Sequence, residues 1–288
     1  MNSTRFPLAA ALVLATALLF LPQTRAADTP GSAAWQPLFD GKTLDGWYVF
    51  LRGQDERNKD PDRLVQVVDG VIHMYKDAEA GSQQPFGYIA TEKDYSSYRL
   101  RLEYRWGEKK FAPRARPATK RDSGLLYHVV EDRVWPRSVE CQIQEGDTGD
   151  FFAISTQLTA PVDPGTTNLI TNVSTNRSSG AVQTNQYAVP TFKALNEGGV
   201  PLVQGRVGTS LRVIRNPENE REGWNTVEVI VRGDSAVHIV NGKTNNSCTA
   251  IREFVGDQWV PLAKGRIALQ LEGAEILFRN IAITELED

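Results

Sequence analysis

Apolar and polar residues alternate one by one along many short stretches of the chain. Between Tyr98 and Trp106 every second residue is large and apolar, and Val227, Val229 and Val231 repeat the pattern. A period of two is typical of β-strands that bury one face. Asp-Gly and Asn-Gly turn signals separate these stretches, and the pattern predicts no amphipathic helix of three turns. An all-β fold follows.

The predicted strands cover residues 64–68, 71–75, 87–91, 98–106, 123–130, 227–232 and 236–240, the last two forming a hairpin. A second hairpin is predicted over residues 265–284, with Gln270 and Glu272 on the face opposite its apolar residues. Residues 157–206 are rich in Thr, Asn, Ser, Gly and Pro and predict a long irregular insertion with one or two short strands. Many strands and few helices favour a sandwich of two antiparallel sheets.

Residues 137–150 carry the first indication of chemistry. Glu140, Gln142 and Gln144 alternate with three apolar residues, so they share the face of a strand that points away from the core. A row of one acid and two amides can bind hydroxyl groups through hydrogen bonds. An ordinary solvent-facing row is the alternative.

The first residues resemble an export signal. Residues 1–27 hold a basic residue near the start, a short apolar run and small residues before Asp28, as in a cleavable signal peptide. We therefore expect a secreted or periplasmic protein with a flexible leader at 28–34 and a single β-sandwich domain at 35–288. The net charge of -3 argues against nucleic acid and membrane as partners. Cys141 and Cys248 can pair in such a compartment, but spacing does not decide this.

Six motifs together resemble one known family. They are Leu38-Phe-Asp-Gly-Lys-Thr-Leu-Asp-Gly-Trp47, Asp122-Ser-Gly-Leu-Leu-Tyr-His128, Ser138-Val-Glu-Cys-Gln-Ile143, Gly223-Trp-Asn225, Val240-Asn-Gly242, and Gly265-Arg-Ile-Ala-Leu-Gln270 with Phe278-Arg-Asn-Ile281. In this order they are similar to the 3-keto-disaccharide hydrolase family. The resemblance implies a concanavalin A-like jelly-roll sandwich whose concave sheet binds saccharide and, as in some members, the cleavage of glycosides already oxidised at C3. Two positions depart from it: Asp122 stands where many members carry Asn, and Glu272-Gly273 where many carry His-Gly.

Two other functions stay open. A carbohydrate-binding module without chemistry would share the fold. Glu140-Cys-Gln-Ile-Gln-Glu145 also resembles the Glu-x-Asp-x-x-Glu signature of laminarinase-type glucanases, although Gln142 replaces the central acid.

The candidate site residues are chosen by the strand face on which they lie, by the motif that contains them and by residue type. Candidates for catalysis are Glu140, His128 and Glu145, since a carboxylate or imidazole can remove the C2 proton of a 3-keto sugar. Candidates for binding the substrate are Gln142, Gln144, Arg137, Lys120, Trp135, Trp224, Asn225, Gln270 and Arg279, the last also as a partner for Glu140. Glu145, Asp147 and Asp150 form an acidic turn that suits Ca²⁺, or a plain surface turn. The basic loop 107–122 is either solvated or a gate over the groove.

Overall fold

The computed structural model describes residues 34–175 and 182–287. The predicted signal peptide and all of the predicted leader except Ala34 lie outside these ranges. The strands are β1 (Gln36–Pro37), β2 (Trp47–Leu51), β3 (Val65–Val68), β4 (Val71–Met74), β5 (Gly87–Thr91), β6 (Tyr98–Lys110), β7 (Asp122–Val129), β8 (Ser138–Gln144), β9 (Phe151–Ile154), β10 (Thr156–Thr175), β11 (Val182–Phe192), β12 (Val200–Gly205), β13 (Ser210–Val213), β14 (Asn225–Arg232), β15 (Ser235–Val240), β16 (Lys243–Val255), β17 (Gln258–Pro261), β18 (Arg266–Leu271) and β19 (Ala274–Glu285). One 3₁₀ turn spans Leu195–Glu197.

These strands form two antiparallel sheets. The larger sheet has the order β11-β10-β16-β15-β14-β6-β19-β4-β3, with β1, β12 and β17 paired beside it, and the smaller has the order β13-β9-β8-β7-β18-β5-β2. The predicted concanavalin A-like jelly-roll sandwich of two antiparallel sheets is confirmed. In the ranges that the structure describes, no helix is long and apolar enough to cross a membrane.

The core lies between the sheets and follows the alternation seen in the sequence. On β6, Tyr98, Leu100 and Leu102 are buried while the arginines between them are exposed. On β8, Cys141 and its apolar neighbours at 139 and 143 belong to the same core. Glu140 therefore points away from the core, as the parity of β8 predicts.

Two predictions about strands are wrong. The described residues of the range 157–206 are not irregular, because most of them form β10, β11 and β12; Leu158, Ala160 and Val162 alternate into the core along β10. Residues 265–284 do not form a hairpin either. β18 pairs with β5 and β7 in the smaller sheet, whereas β19 pairs with β6 and β4 in the larger one. The turn between β18 and β19 therefore crosses from one sheet to the other.

The hairpin around Gly233 is confirmed, since Arg232 pairs with Ser235 at the end of β14 and β15. Both cysteines are buried and free, so Cys141 and Cys248 are small core residues and not a disulfide.

Candidate active site

Three acids lie on the outer face of the smaller sheet, which points away from the larger sheet. Asp122 begins β7, Glu140 lies in the middle of β8, and Glu272 directly follows β18. They expose only 2%, 5% and 6% of their surface. Ionisable residues are almost never this buried unless they are paired or functional. We call these three residues the acid cluster.

Gly124 leaves room for the side chains of this face. It pairs with Gln142 on the neighbouring strand. A Cβ atom at this position would lie 2.2 Å from Oε1 of Glu140 and 2.3 Å from Oε1 of Gln270. Because any larger residue would occupy this space, the glycine allows the two polar groups to approach each other above the sheet.

Arg114 connects two of the acids. It belongs to the loop between β6 and β7, and its Nη1 lies 2.6 Å from Oδ2 of Asp122 while its Nη2 bonds to Oε1 of Glu272. Asp122 also accepts hydrogen bonds from Nε2 of Gln142 at 3.0 Å and Nε2 of Gln144 at 2.6 Å. One guanidinium thus serves two carboxyl groups, and Glu140 has no such partner.

Several polar atoms of this face have no hydrogen-bond partner among the described residues. They are Oε1 of Glu140, Oε1 of Gln142, and both Oε1 and Nε2 of Gln270. The finding for Gln270 holds for either orientation of its amide. A buried polar atom without a partner costs about 1–3 kcal/mol, and such atoms concentrated in one place indicate where a ligand or water binds.

The pKa values of the acid cluster are raised. Burial raises the pKa of Glu140 well above its usual range, and the charges of Glu272 and Asp122 raise it further, against the opposing effect of Arg114. Burial, followed by the charge of Glu272, likewise raises the pKa of Asp122. Burial and the repulsion between the acids therefore favour the protonated form of these carboxyl groups, as is common in sites that transfer protons.

Aromatic rings lie on the same face. The rings of Phe86 and Trp135 meet edge to face at 6.3 Å, and those of Phe50 and Tyr88 stack at 5.4 Å. Apolar rings beside a few unpartnered polar atoms are typical of sites that bind small polar molecules.

The family model of the 3-keto-alpha-glucoside-1,2-lyase-like domain matches residues 34–284. The chain belongs to this family. Membership makes it a carbohydrate-active domain, either glycosyl hydrolase-like or carbohydrate-binding.

Solved structures similar to this family member are distant. One from Parabacteroides distasonis ATCC 8503, named as a candidate glycosyl hydrolase, has 18% identity and a TM-score of 0.49, covering 88% of this chain and 94% of the other. The carbohydrate-binding module CBM66 from Bacillus subtilis has 8% identity and a TM-score of 0.37, with coverage of 88% and 98%. The β-glucanase of Bacillus licheniformis has 10% identity and a TM-score of 0.36, with coverage of 90% and 100%. The comparison with curated proteins found no match.

Five of the residues predicted from the sequence lie together on the outer face. They are Glu140, Gln142, Gln144, Gln270 and Trp135, the last packed against the apolar residues of that face. The alternation of side chains along β8 places Glu140, Gln142 and Gln144 on one face. The same alternation along β18 places Gln270 and Glu272 on one face.

Sequence reasoning named Asp122 as a departure from the family and Glu272 as a departure and a neighbour of Gln270, but did not name either as a site residue, and it missed Arg114 and Gly124. The alternation of β7 places Asp122 and Gly124 on one face, so that signal was present in the sequence. Nothing in the loop sequence indicates that Arg114 reaches the acids.

His128, a predicted catalytic residue, does not lie on the outer face with the acid cluster. Its φ of 55° marks a β-bulge, at which Arg266 pairs with Val129 but Ala268 with Leu126. The bulge turns His128 to the side of Tyr127, where its Nε2 lies 2.9 Å from the carbonyl oxygen of Gly233 in the other sheet. Burial lowers its pKa to about 4, so it remains a neutral structural residue.

Glu145 and Lys120 lie outside the acid cluster. Glu145 follows the end of β8 and bonds to Nη2 of Arg121 at 2.8 Å, and this partner holds the pKa of Glu145 below its usual range. Lys120 lies 2.6 Å from Oδ2 of Asp147 and is half exposed. Neither side chain bonds to an acid of the cluster.

The acidic turn is neutralised by arginines and not arranged for calcium. Asp147 lies 3.1 Å from Arg212 and 3.2 Å from Arg215, and Asp150 bonds to both arginines. Glu145 pairs with Arg121 and does not join them. Across residues 34–175 and 182–287 no group of three or more His, Cys, Asp or Glu residues is placed to hold a metal ion. The geometry argues against the predicted Ca²⁺ site.

The other predicted binding residues serve the larger sheet or its edge. Arg137 pairs with Glu253 at 3.0 Å. Arg279 pairs with Glu103 at 2.8 Å, not with Glu140, and lies 3.9 Å from the ring of Trp224.

Asn225 is fully buried and bonds to the backbone of Arg221 and Gly223 and to Asn241. It fixes a turn. Asn225, Trp224 and Arg279, which the sequence predicts to bind substrate, belong to β14, the turn before it and β19 of the other sheet and do not lie with the acid cluster.

Proposed function

We propose that this chain binds a saccharide on the outer face of its smaller sheet and cleaves glycosides that are already oxidised at C3. The observation that carries the proposal is the set of unpartnered buried atoms on Glu140, Gln142 and Gln270, next to two further acids. The family assignment supports the class of reaction. The signal-like residues 1–27 support an exported location as part of the same proposal.

The chemistry requires a base beside C2. A ketone at C3 acidifies the C2 proton, and its removal gives an enolate that expels the substituent at C1. Glu140 is suited to this role because its Oε1 has no protein partner and its raised pKa makes its carboxylate a strong base. Water then adds to C1, and the net reaction is hydrolysis.

The amides beside Glu140 support the binding step. Gln270 offers both a donor and an acceptor, and Gln142 an acceptor. Sugar hydroxyls and an enolate oxygen can satisfy these atoms, which would convert an unfavourable buried state into a bound complex. Trp135 and Phe86 lie on the same face and can pack against the apolar side of a sugar ring.

The direct test uses the purified protein with a 3-keto-glucoside and with its unoxidised parent. We expect release of the aglycone from the ketone alone. Equal inertness toward both compounds, together with calorimetric binding of the intact sugar, would instead identify a carbohydrate-binding module. Release of reducing ends from an unoxidised β-glucan would identify a glucanase.

A further inference from the structure

We propose that Asp122 and Glu272 share one proton and act together as the general acid of the site, with Arg114 as the residue that sets their charge. This inference rests on the proposed function, in which a leaving group at C1 needs a proton. It adds a second proton-transfer group to Glu140.

The two acids have one cation between them. The guanidinium of Arg114 bonds to both carboxyl groups. One carboxylate balances this positive charge, and a proton on the other avoids a second, unpaired negative charge. Asp122 and Glu272 are almost fully buried, which makes a second negative charge beside the first expensive.

Arg114 balances one negative charge of the pair, and Arg52 adds only a longer-range attraction for the charge of Glu272. The guanidinium of Arg114 bonds to both carboxyl groups and balances a single negative charge. Burial is the main cause that raises the pKa of each acid. With one proton, one negative charge and one guanidinium, the group of three residues is neutral overall.

The pair lies on the same face of the sheet as the proposed base. Glu140 lies over Gly124, and burial, followed by the charges of Glu272 and Asp122, raises its pKa. Gln270 is 1% exposed, its side-chain amide has no hydrogen-bond partner in the described part of the chain, and this amide also lies over Gly124. The unpartnered amide is an observation independent of the acids, and it points to a ligand on this face beside Glu140.

The proton balance of the reaction closes with these groups. Glu140 takes the proton from C2, and the electrons of the C–H bond form the enolate. The enolate collapses, the C3 ketone re-forms, C1 and C2 become doubly bonded, and the bond from C1 to the leaving oxygen breaks. The pair donates its proton to that oxygen. Water adds to C1 and returns a proton to the pair, while Glu140 returns its proton to C2.

The first experiment compares leaving groups. The substrates are a 3-keto-glucoside with an alkyl leaving group and one with a nitrophenyl leaving group, which departs without a proton. We expect Asp122→Asn and Glu272→Gln to lower the rate with the alkyl substrate by about 10²- to 10⁴-fold and to change the nitrophenyl rate little. Glu140→Gln should lower both rates. Equal loss with both leaving groups in the pair variants would overturn the acid role.

The second experiment does not depend on turnover. Infrared spectroscopy at neutral pH detects protonated carboxyl groups by their carbonyl stretch. Asp122→Asn and Glu272→Gln should each remove one protonated carboxyl, since the remaining acid forms an ionised pair with Arg114 and the net charge near Glu140 is unchanged. Glu103→Gln is the matched control, because Glu103 is ion-paired and its pKa is lowered; it should remove none.

The two experiments separate the two ideas. If the unchanged protein acts on neither ketone, the proposed function has failed, and the infrared result still decides whether the pair shares a proton. A pair variant that keeps every protonated carboxyl of the unchanged protein would overturn the proposal.

Discussion

Replacing Glu140 by glutamine should make the protein more stable and less active. The change keeps the shape of the side chain and removes its ability to ionise. Glu140 is buried, its Oε1 has no partner, and burial raises its pKa. Glutamine keeps a polar side chain in the same place, so the gain comes only from removing the ionisable group: about 1.4 kcal/mol in the free energy of unfolding for each pH unit above the pKa of an unfolded glutamate, up to the raised pKa of the folded state. Each kcal/mol corresponds to about 2–4 °C in melting temperature for a domain of this size.

The gain should depend on pH with a defined sign. An unfolded glutamate titrates near pH 4.3, whereas the pKa of Glu140 in the folded state is higher. Between these two values the folded protein binds more protons than the unfolded chain, so the stability of the unchanged protein falls as pH rises. Melting curves should therefore show no difference between the two proteins below about pH 4 and a growing difference above it.

The rate should respond in the opposite direction. Loss of a general base lowers the rate by about 10²- to 10⁴-fold, measured with a 3-keto-glucoside. Cys141→Glu is the matched control, because Cys141 is the next residue and is fully buried in the core; an unpaired charge there should prevent folding. A Glu140→Gln protein that is less stable than the original at neutral pH would refute this reasoning.

Three further results are expected. Gly124→Ala should lower kcat by about 10²-fold, the usual effect of displacing a reacting group by an ångström, because its Cβ would push against Glu140 and Gln270; an unchanged kcat would place the chemistry elsewhere. His128→Asn, which tolerates the positive φ, should lower the melting temperature through loss of the bond to Gly233 and leave kcat unchanged; a large fall in kcat at unchanged stability would restore a catalytic role. The rate should pass through a maximum with pH, rising as Glu140 loses its proton and falling as the general acid loses its own; a rate that does not vary with pH would exclude both groups.

The sequence predicts the face of Glu140 because β8 keeps a strict period of two from Val139 to Gln144. The same reasoning fails for His128, since one extra residue in the bulge reverses the alternation and leaves no mark in the composition. It also fails for residues 157–206, where threonines and asparagines on the exposed side hide the alternation of the buried residues along β10.

Contacts between distant parts of the chain are not visible in a local pattern. Asp147 and Asp150 resemble a calcium turn, but the cations that neutralise them, Arg212 and Arg215, come from more than sixty residues further on. Arg114 is another such residue, because a loop side chain can reach any of several neighbours. Residue type and spacing limit what such a side chain can do, whereas the folded chain decides what it contacts.

The origin of the charges on the outer face has an evolutionary consequence. The acids stand on or directly beside β7, β8 and β18, whose register is fixed by core residues on their other face. Arg114, the cation that bonds to two of them, belongs to a loop, and loops accept insertions and replacements far more readily than core strands do. A relative that shortened or exchanged this loop would keep every acid and lose the bridging guanidinium. Relatives with the same strands can thus differ in how many protons their acids hold, and with that in the substrates they accept.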